Sequence, residues 1–384
     1  MYLVGMRFVL IPDKFKGSLS AEEVINSLST GIRGVYPDAE IASVIASDGG
    51  DGFLKAVARA IPVEEISVAS VDPLGRALQS QYLWAKKEQT AYIELAECSG
   101  LVLLDPTERD PTRTSTLGTG LQIRHALENG AKRIYVGLGG SATNDGGLGI
   151  AHGLGFRFKD DSDAVLDPTG GNLGKIRSVE MGGVIEALQQ AEVIAINDVQ
   201  NPLLGPQGAA AVYASQKGSS LEQIGFLEAG LKNLDQVVLE SFGKSAADLP
   251  GAGAAGGAAF GLHTFLNARF VKGVEFMLQL TQAEALFEGR KTDLLITGEG
   301  AIDVQTLHGK LIQGVSGLGK KYGVPVMAVC GKLDMEGEDA GKFGLEVILE
   351  IRDPSKSIQY SMENAATLLQ QCISTYLKNR KTNR

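Results

Sequence analysis

The sequence has few residues of the types that define several classes of protein. It contains three cysteines in 384 residues, and they lie far apart in the chain, at Cys98, Cys330 and Cys372. A disulfide framework or a cysteine-rich zinc site needs more cysteines at closer spacing, so we expect a reducing compartment. Only four histidines are present and none forms a metal-binding pair, which argues against zinc-dependent hydrolysis.

Long hydrophobic runs and an excess of positive charge are also missing. No stretch approaches the roughly 18 apolar residues that indicate a transmembrane helix. The first apolar run is interrupted by Arg7, Pro12 and Asp13 and lacks the basic region of a secretory signal. The formal net charge is −9, which disfavours a nucleic-acid surface. We therefore expect a cytoplasmic protein that binds neither nucleic acid nor membrane.

Glycine, by contrast, is abundant, with 49 residues, and it is concentrated in loops. The apolar run 134–138 predicts a buried strand, and five glycines follow it among Ser, Thr, Asn and Asp side chains. Such loops turn amide groups toward phosphate oxygens, so we favour an anion or nucleotide site over a plain turn. The candidate phosphate ligands are Gly139, Gly140, Ser141, Thr143, Asn144 and Gly146, and Asp145 could hold a metal ion.

A second strand-to-helix loop lies near the N-terminus. The predicted strand 8–11 is followed by Lys14 and Lys16 and then by a helix whose start carries a capping box, Ser20 with Glu23. Lysines are unfavourable beside the positive end of a helix dipole, so a bound anion explains them better than solvation does.

Further polar groups follow other predicted strands. The strand 40–46 leads into a glycine-rich loop with Asp48 and Asp51. This loop could bind Mg²⁺ or a substrate hydroxyl, and it could equally well be only a turn. The strand 193–196 leads to Asp198, and the strand 294–297 leads to Glu299 and Asp303. In open α/β sheets ligands bind at the carboxyl ends of strands, so each of these carboxylates is a site candidate.

The order of these elements predicts two different α/β domains. Alternating strands and helices at 1–70 and 291–384 predict one Rossmann- or flavodoxin-like parallel sheet built from both chain ends. Between them, residues 71–290 contain short strands joined by a polar turn, which predicts an inserted α/β domain with a mixed sheet.

Three nucleotide-binding motifs occur in weak form. Gly137, Gly139 and Ala142 fit the looser dinucleotide fingerprint, with Asp160 about twenty residues further on. The segment 251–256 fits the strict fingerprint but follows no strand. The segment 314–320 imitates a P-loop, but a lysine replaces the required Ser or Thr, so we reject it.

Seven segments together resemble a known family. In order they are PDKFKGSLSAEEV, SDGGDG, STLGTG, GLGGSATNDGG, NDVQNPLLGPQGA, PGAGAAGG and TGEGAIDVQTLHGK, and they look like the signature segments of the bacterial type-1 glycerate kinase family. The match runs from Met6 to about Asp334. It implies ATP-dependent phosphorylation of D-glycerate with Mg²⁺ in an enzyme of two different α/β domains, with the active site in the cleft between them.

The chain departs from the family pattern at four positions. Lys14 stands where the family more often has Ser, Asp51 where Glu is usual, and Phe53 where Thr is usual. Ala301 stands where a basic residue is expected, and Lys14 could restore that charge elsewhere.

Phosphoryl transfer needs phosphate positioning, charge neutralisation and a base beside the attacking hydroxyl. We assign phosphate binding to the glycine loop, and we expect Asp198, flanked by Asn197 and Asn201, to be the base. Lys16 is the second catalytic candidate. The candidate substrate ligands are Lys14, Asp48, Arg113 and Ser115, and the candidate metal ligands are Asp145, Glu299 and Asp303.

The expected product is 2-phosphoglycerate, with 3-phosphoglycerate possible, and the oligomeric state is open. Two other classes of protein are alternatives. An NAD-dependent hydroxyacid dehydrogenase would explain the first Gly-x-Gly but leaves the Asp-rich loops without a role. A two-lobed binding protein would explain a cleft but not the acidic strand ends.

Overall fold

The computed structural model describes residues 5–45, 52–303, 311–334 and 341–382. The chain forms two compact units: Met1–Asp48 together with Val274–Arg384, and Gly49–Gly273. Each unit is built around its own sheet.

The strands in chain order are β1 (Arg7–Pro12), β2 (Glu40–Ser43), β3 (Glu64–Val71), β4 (Ala77–Ala85), β5 (Thr90–Glu94), β6 (Arg133–Gly137), β7 (Arg157–Lys159), β8 (Ser178–Glu180), β9 (Glu192–Ile196), β10 (Arg269–Val271), β11 (Leu294–Ile302), β12 (Val326–Leu333) and β13 (Val347–Glu350). The α-helices are α1 (Ala21–Arg33), α2 (Phe53–Ala60), α3 (Ala96–Ser99), α4 (Leu117–Glu128), α5 (Leu148–Gly153), α6 (Ala209–Tyr213), α7 (Leu221–Phe242), α8 (Ala254–Leu266), α9 (Gly273–Leu280), α10 (Leu311–Tyr322), α11 (Ile358–Glu363) and α12 (Ala365–Thr382). Short 3₁₀ helices lie at Leu101–Leu103, Pro106–Glu108, Gly170–Lys175, Glu186–Gln190, Ser215–Lys217 and Ala283–Leu286.

The first unit contains a parallel sheet whose strands come from both ends of the chain. Its order is β13-β12-β11-β1-β2, which is the flavodoxin-like order 2-1-3-4-5. The sequence-based expectation of a Rossmann- or flavodoxin-like sheet is confirmed. The strand order reverses between β1 and β11, and this reversal is where such sheets bind ligands.

Helices cover both faces of this sheet because β1 is apolar on both sides. Phe8 and Leu10 belong to one core with residues of α1 and α12, whereas Val9 and Ile11 belong to a second core with residues of α10. This alternation follows the two-residue period of a strand. The predicted capping box starts α1: Ser20 Oγ accepts from the Glu23 amide at 3.3 Å, and the Ser20 amide donates to Glu23 Oε2 at 2.8 Å.

The second unit contains a mixed sheet of order β10-β9-β6-β5-β4-β3. Strands β3, β4 and β5 pair antiparallel, and β5, β6, β9 and β10 pair parallel. The prediction of a mixed sheet is confirmed. The carboxyl ends of the four parallel strands therefore lie along one edge, where the loops after β6 and β9 begin.

Glycine lets the backbones of this unit approach closely. A Cβ at Gly149, in α5, would lie 2.2 Å from the backbone nitrogen of Leu117 in α4. A Cβ at Gly256 would lie 2.0 Å from the carbonyl oxygen of Thr143. The segment at 251–257 thus docks directly against the glycine loop after β6, since any side chain at Gly256 would collide with that loop.

Some predicted elements have other bounds in the structure. The strand predicted at 40–46 is β2 and ends at Ser43. The amphipathic pattern at 357–377 predicts a single terminal helix, whereas the structure has two helices there, α11 and α12, separated at Asn364. The strand predicted to stop at Thr297 continues as β11 to Ile302, because β12 supplies a parallel partner along that length and pairs Glu299 with Cys330. The sequence also predicts a helix that carries His308 and Lys310, and these two residues lie outside the described part of the chain. In the described part of the chain, no helix combines the length and the hydrophobicity that crossing a membrane requires.

Candidate functional site

The turn after β6 is the exposed part of the glycine loop. Gly139 is partly exposed and Gly140 is exposed, with a left-handed φ of 61°, whereas the loop is buried from Ser141 onward. No protein acceptor among the described residues takes the amide hydrogens of Gly139, Gly140 or Ser141. Unpaired backbone amides on an accessible turn at a strand end are suitable donors for an anion.

The rest of the loop is turned into the protein. The Gly146 amide donates to the carbonyl of Gly256 at 3.1 Å, so it is already used. Thr143 and Asn144 are fully buried, and the Thr143 hydroxyl and both amide atoms of Asn144 have no partner among the described residues. The geometry thus favours the Gly139–Ser141 end of the loop for phosphate, while phosphate binding by Thr143, Asn144 and Gly146 stays a prediction.

Asp145 is buried completely and is surrounded by donors. One oxygen accepts from the Thr116 amide at 2.7 Å, the Thr116 hydroxyl at 2.8 Å and the Gly149 amide at 3.1 Å, and the other accepts from the Gly147 amide at 3.0 Å. Burial raises the pKa of Asp145, and these four hydrogen bonds oppose that shift. This bonding favours a structural role in joining the starts of α4 and α5. The metal role predicted for Asp145 stays a prediction.

A buried lysine, which the sequence analysis missed, contacts the same loop. Lys217 is 2% exposed, and its Nζ donates to Ser141 Oγ at 2.8 Å and to the Thr143 carbonyl at 2.7 Å. Burial lowers the pKa of Lys217 to about 7, although the Asp145 carboxylate acts in the opposite direction. Its position at the end of a short 3₁₀ helix carries no local signal, because its contacts lie more than 70 residues away in the chain.

Asp198 lies just beyond the carboxyl end of β9, on the same sheet edge as the turn after β6. It is half-buried, and its Oδ1 accepts from the Gly273 amide at 3.1 Å. The expected orienting partner Asn201 is used elsewhere, since its side chain donates to the Gln207 carbonyl and accepts from the Tyr213 hydroxyl. A backbone amide, that of Gly273 just after β10, thus holds one oxygen of Asp198 in place of the expected Asn201 side chain.

The candidate substrate ligands Arg113 and Ser115 differ in their exposure to solvent. Arg113 is exposed, which leaves its guanidinium accessible to an anionic substrate. Ser115 is buried, and its Oγ accepts from the Leu117 amide at 3.2 Å at the start of α4. Asp48 lies outside the described residues. Substrate binding by these three residues stays a prediction.

In the first unit, Lys16 lies beside a cavity at the reversal of strand order. The cavity has a volume of about 150 Å³, and Lys16, Gly300, Lys332 and Arg352 contribute to its lining. Lys332 and Arg352 form ion pairs with Asp334 and Glu350. Lys16 is exposed and forms no ion pair among the described residues. Its free charge is suited to an anionic ligand. Lys14 is half-buried in the same turn.

Glu299 and Asp303 lie at the end of β11 and are half-buried. Burial, together with the nearby charges of Glu350 and Glu299, raises the pKa of Cys330 to about 12. Among the described residues, no group of three or more His, Cys, Asp or Glu side chains is arranged to hold a metal ion. Metal binding by Glu299 and Asp303 stays a prediction.

Comparison with known proteins identifies the protein family of this chain. Residues 8–379 match the model of the glycerate kinase family. The chain belongs to this family. It is 34% identical over 380 residues to a glycerate kinase of Bacillus subtilis (strain 168), covering 98% of this chain and 99% of that protein. It is 36% identical to a glycerate 2-kinase of Escherichia coli (strain K12), covering 90% of each.

A solved structure agrees with this assignment. The structure described as glycerate kinase 2 from Salmonella typhimurium LT2 matches with a TM-score of 0.80 and 34% identity, covering 98% of this chain and all of that one. The chain is therefore a kinase of the glycerate kinase family, and the resemblance drawn from its seven segments is confirmed. The dehydrogenase and binding-protein alternatives are set aside.

Proposed function

We propose that this kinase transfers the γ-phosphate of ATP to the 2-hydroxyl of D-glycerate, with Mg²⁺, to give 2-phosphoglycerate. The observation that carries the proposal is the family match over residues 8–379. Support for the 2-hydroxyl comes from the name of the Escherichia coli relative, a glycerate 2-kinase. We also propose a cytoplasmic location, which accords with ATP as substrate and with three free cysteines.

The turn Gly139–Ser141 is the proposed phosphate site of the second unit. Its amide hydrogens have no protein acceptor among the described residues, and phosphate oxygens are acceptors only. A phosphate bound there would gain hydrogen bonds without breaking any within the protein. Lys16 is the proposed cation of the first unit, because it is exposed and lies beside a cavity at the reversal of strand order.

Asp198 is the proposed general base. A glycerate hydroxyl must lose its proton as phosphate is transferred, and a half-buried carboxylate at a strand end can accept it. The Gly273 amide fixes one carboxylate oxygen, so the direction of the group is set before substrate binds.

Magnesium fits one part of the predicted donor set. Mg²⁺ in kinases binds one or two carboxylates together with water and substrate phosphates, so a three-carboxylate cluster is not required. Glu299 and Asp303 offer half-buried carboxylates at the carboxyl end of β11. Asp145 fits less well, because both its oxygens already accept hydrogen bonds from the protein. When bound, the metal would neutralise charge on the phosphates.

The test is direct. The protein is incubated with D-glycerate, ATP and Mg²⁺, and we expect ADP release that depends on glycerate and stops when EDTA is added. Phosphorus NMR of the product then distinguishes 2-phosphoglycerate from 3-phosphoglycerate. No glycerate-dependent ADP would contradict the proposed reaction, and a 3-phosphoglycerate signal would contradict only the choice of hydroxyl.

A further inference from the structure

The buried Lys217 is costly unless it has a specific task. It is 2% exposed, and no carboxylate among the described residues lies within ion-pair distance of its Nζ. Taking an ammonium group out of water costs several kcal/mol, and an apolar side chain of similar volume would avoid that cost. Packing alone therefore favours methionine or leucine at this position.

The two contacts of Lys217 fall on the loop that carries the proposed phosphate site. Its Nζ holds the Ser141 hydroxyl and the Thr143 carbonyl. In addition, the Ala142 amide donates to the Ser99 carbonyl at 2.8 Å, and the Thr114 hydroxyl donates to the Ala142 carbonyl at 3.0 Å. Hydrogen bonds from three distant segments of the chain thus hold residues 141–143.

The chain around Lys217 is itself held in place. Lys217 ends a short 3₁₀ turn, and Gly218 follows with a left-handed φ of 98°. A Cβ at Gly218 would lie 2.1 Å from the carbonyl oxygen of Arg109, so that close approach depends on glycine. The ammonium group is therefore presented to the loop from a fixed backbone position.

We infer that Lys217 is a positioning residue for the nucleotide phosphates: by holding Ser141 and Thr143, it keeps the amides of the Gly139–Ser141 turn in the geometry that binds phosphate. This inference rests on the proposed function, because it assigns an ATP phosphate to that turn. Thr143 and Asn144 lie directly beyond the turn, and their buried side-chain polar atoms have no hydrogen-bond partner among the described residues. These unpaired groups are a second sign that the free protein leaves hydrogen-bonding capacity unused beside the turn.

The test compares Lys217→Met with Lys232→Met. Methionine has similar length and removes the hydrogen bonds, whereas Lys232 is an exposed lysine of α7 in the same unit. We expect Lys217→Met to raise KM for ATP and Kd for ADP at least about tenfold, the usual effect of losing roughly 1.4 kcal/mol, with KM for glycerate within twofold of wild type. Lys232→Met should change neither.

The outcomes separate this inference from the proposed function. If the folded Lys217→Met variant keeps both Michaelis constants, or shifts both alike, Lys217 has only a structural role and the inference is wrong. If Lys217→Met does not fold, Ser141→Ala removes one of the two Lys217 hydrogen bonds and should raise KM for ATP selectively. Unchanged ATP binding in Ser141→Ala would overturn the inference. If the wild-type protein itself releases no ADP with glycerate, the proposed function fails, and ADP affinity still tests Lys217.

Discussion

Replacing Asp145 by alanine tests whether this carboxylate holds the loop together or holds a metal ion. In the structure its two oxygens accept four hydrogen bonds, from the amide and hydroxyl of Thr116 and from the amides of Gly147 and Gly149. Alanine would leave all four donors buried and without an acceptor.

The expected loss of stability follows from these contacts. Hydrogen bonds to a charged group contribute roughly 1.5–3 kcal/mol each, so four independent ones would total about 6–12 kcal/mol. The bonds share two oxygens and are not independent, and removing a buried charge recovers part of its desolvation cost. We therefore expect Asp145→Ala to lower the free energy of unfolding by about 4–6 kcal/mol, which for a unit of this size lowers Tm by roughly 10–20 °C.

The assay is thermal unfolding followed by circular dichroism, with Asp248→Ala as control because Asp248 is an exposed aspartate of the same unit. Thr116→Val should give a smaller loss, about 2–4 kcal/mol, since it removes the hydroxyl that donates to Asp145 and accepts from the Ile150 amide but keeps the Thr116 amide. Asp145→Asn is the decisive variant. If its Tm stayed at the wild-type value while the Mg²⁺ concentration for half-maximal activity rose, Asp145 would be a metal ligand and our structural reading would be refuted.

Four further predictions concern the site and its support. Asp198→Asn keeps an oxygen for its backbone donor, so Tm should hold while kcat falls roughly 10²–10⁴-fold; an unchanged kcat would remove Asp198 as the base. Lys16→Met, at an exposed position, should lower kcat/KM for glycerate roughly 10–100-fold with little change in Tm, the loss of one hydrogen bond to a charged ligand; near-wild-type activity would exclude Lys16 from the site. Gly256→Ala places a Cβ 2.0 Å from a backbone oxygen at a left-handed φ, so we expect the free energy of unfolding, measured by chemical denaturation, to fall by more than about 2 kcal/mol. The control Gly174→Ala should cause no measurable fall, because no atom lies within 4 Å of a Cβ there. Burial lowers the pKa of Lys217 from 10.5 in the unfolded chain to about 7, so the unfolded state binds more protons above pH 7, and the contribution of Lys217 to stability should rise with pH between about 7 and 10.5. The Tm of wild type minus the Tm of Lys217→Met should therefore increase as pH rises over this range. A decrease would contradict burial of this lysine.

The sequence alone was sufficient to predict a structural feature wherever the residues that produce that feature lie close together in the chain. The capping box at Ser20 fixed the start of α1, because its partners are three residues apart. The pattern of apolar residues and the glycine cap Gly243 likewise predict the helix Leu221–Phe242 with the bounds that the structure shows, because both signals are local. The mixed second sheet and the parallel first sheet followed from the same kind of reasoning.

The partners of buried polar side chains were decided only by the tertiary structure. The sequence marks Asp145 as one more carboxylate in a glycine loop, and its role depends on Thr116, 29 residues earlier in the chain. Asn201 was expected to orient Asp198, but it bonds to Gln207 and Tyr213 because the chain folds back there.

Lys217 shows the same limit most clearly. A lysine in a polar stretch predicts a solvated side chain, yet it is buried against Ser141, 76 residues away. Local sequence patterns determine which face of an element is apolar, because neighbours along the chain share that face. Which donor meets which acceptor in the interior depends on how distant segments pack, and no local pattern of residues contains that information.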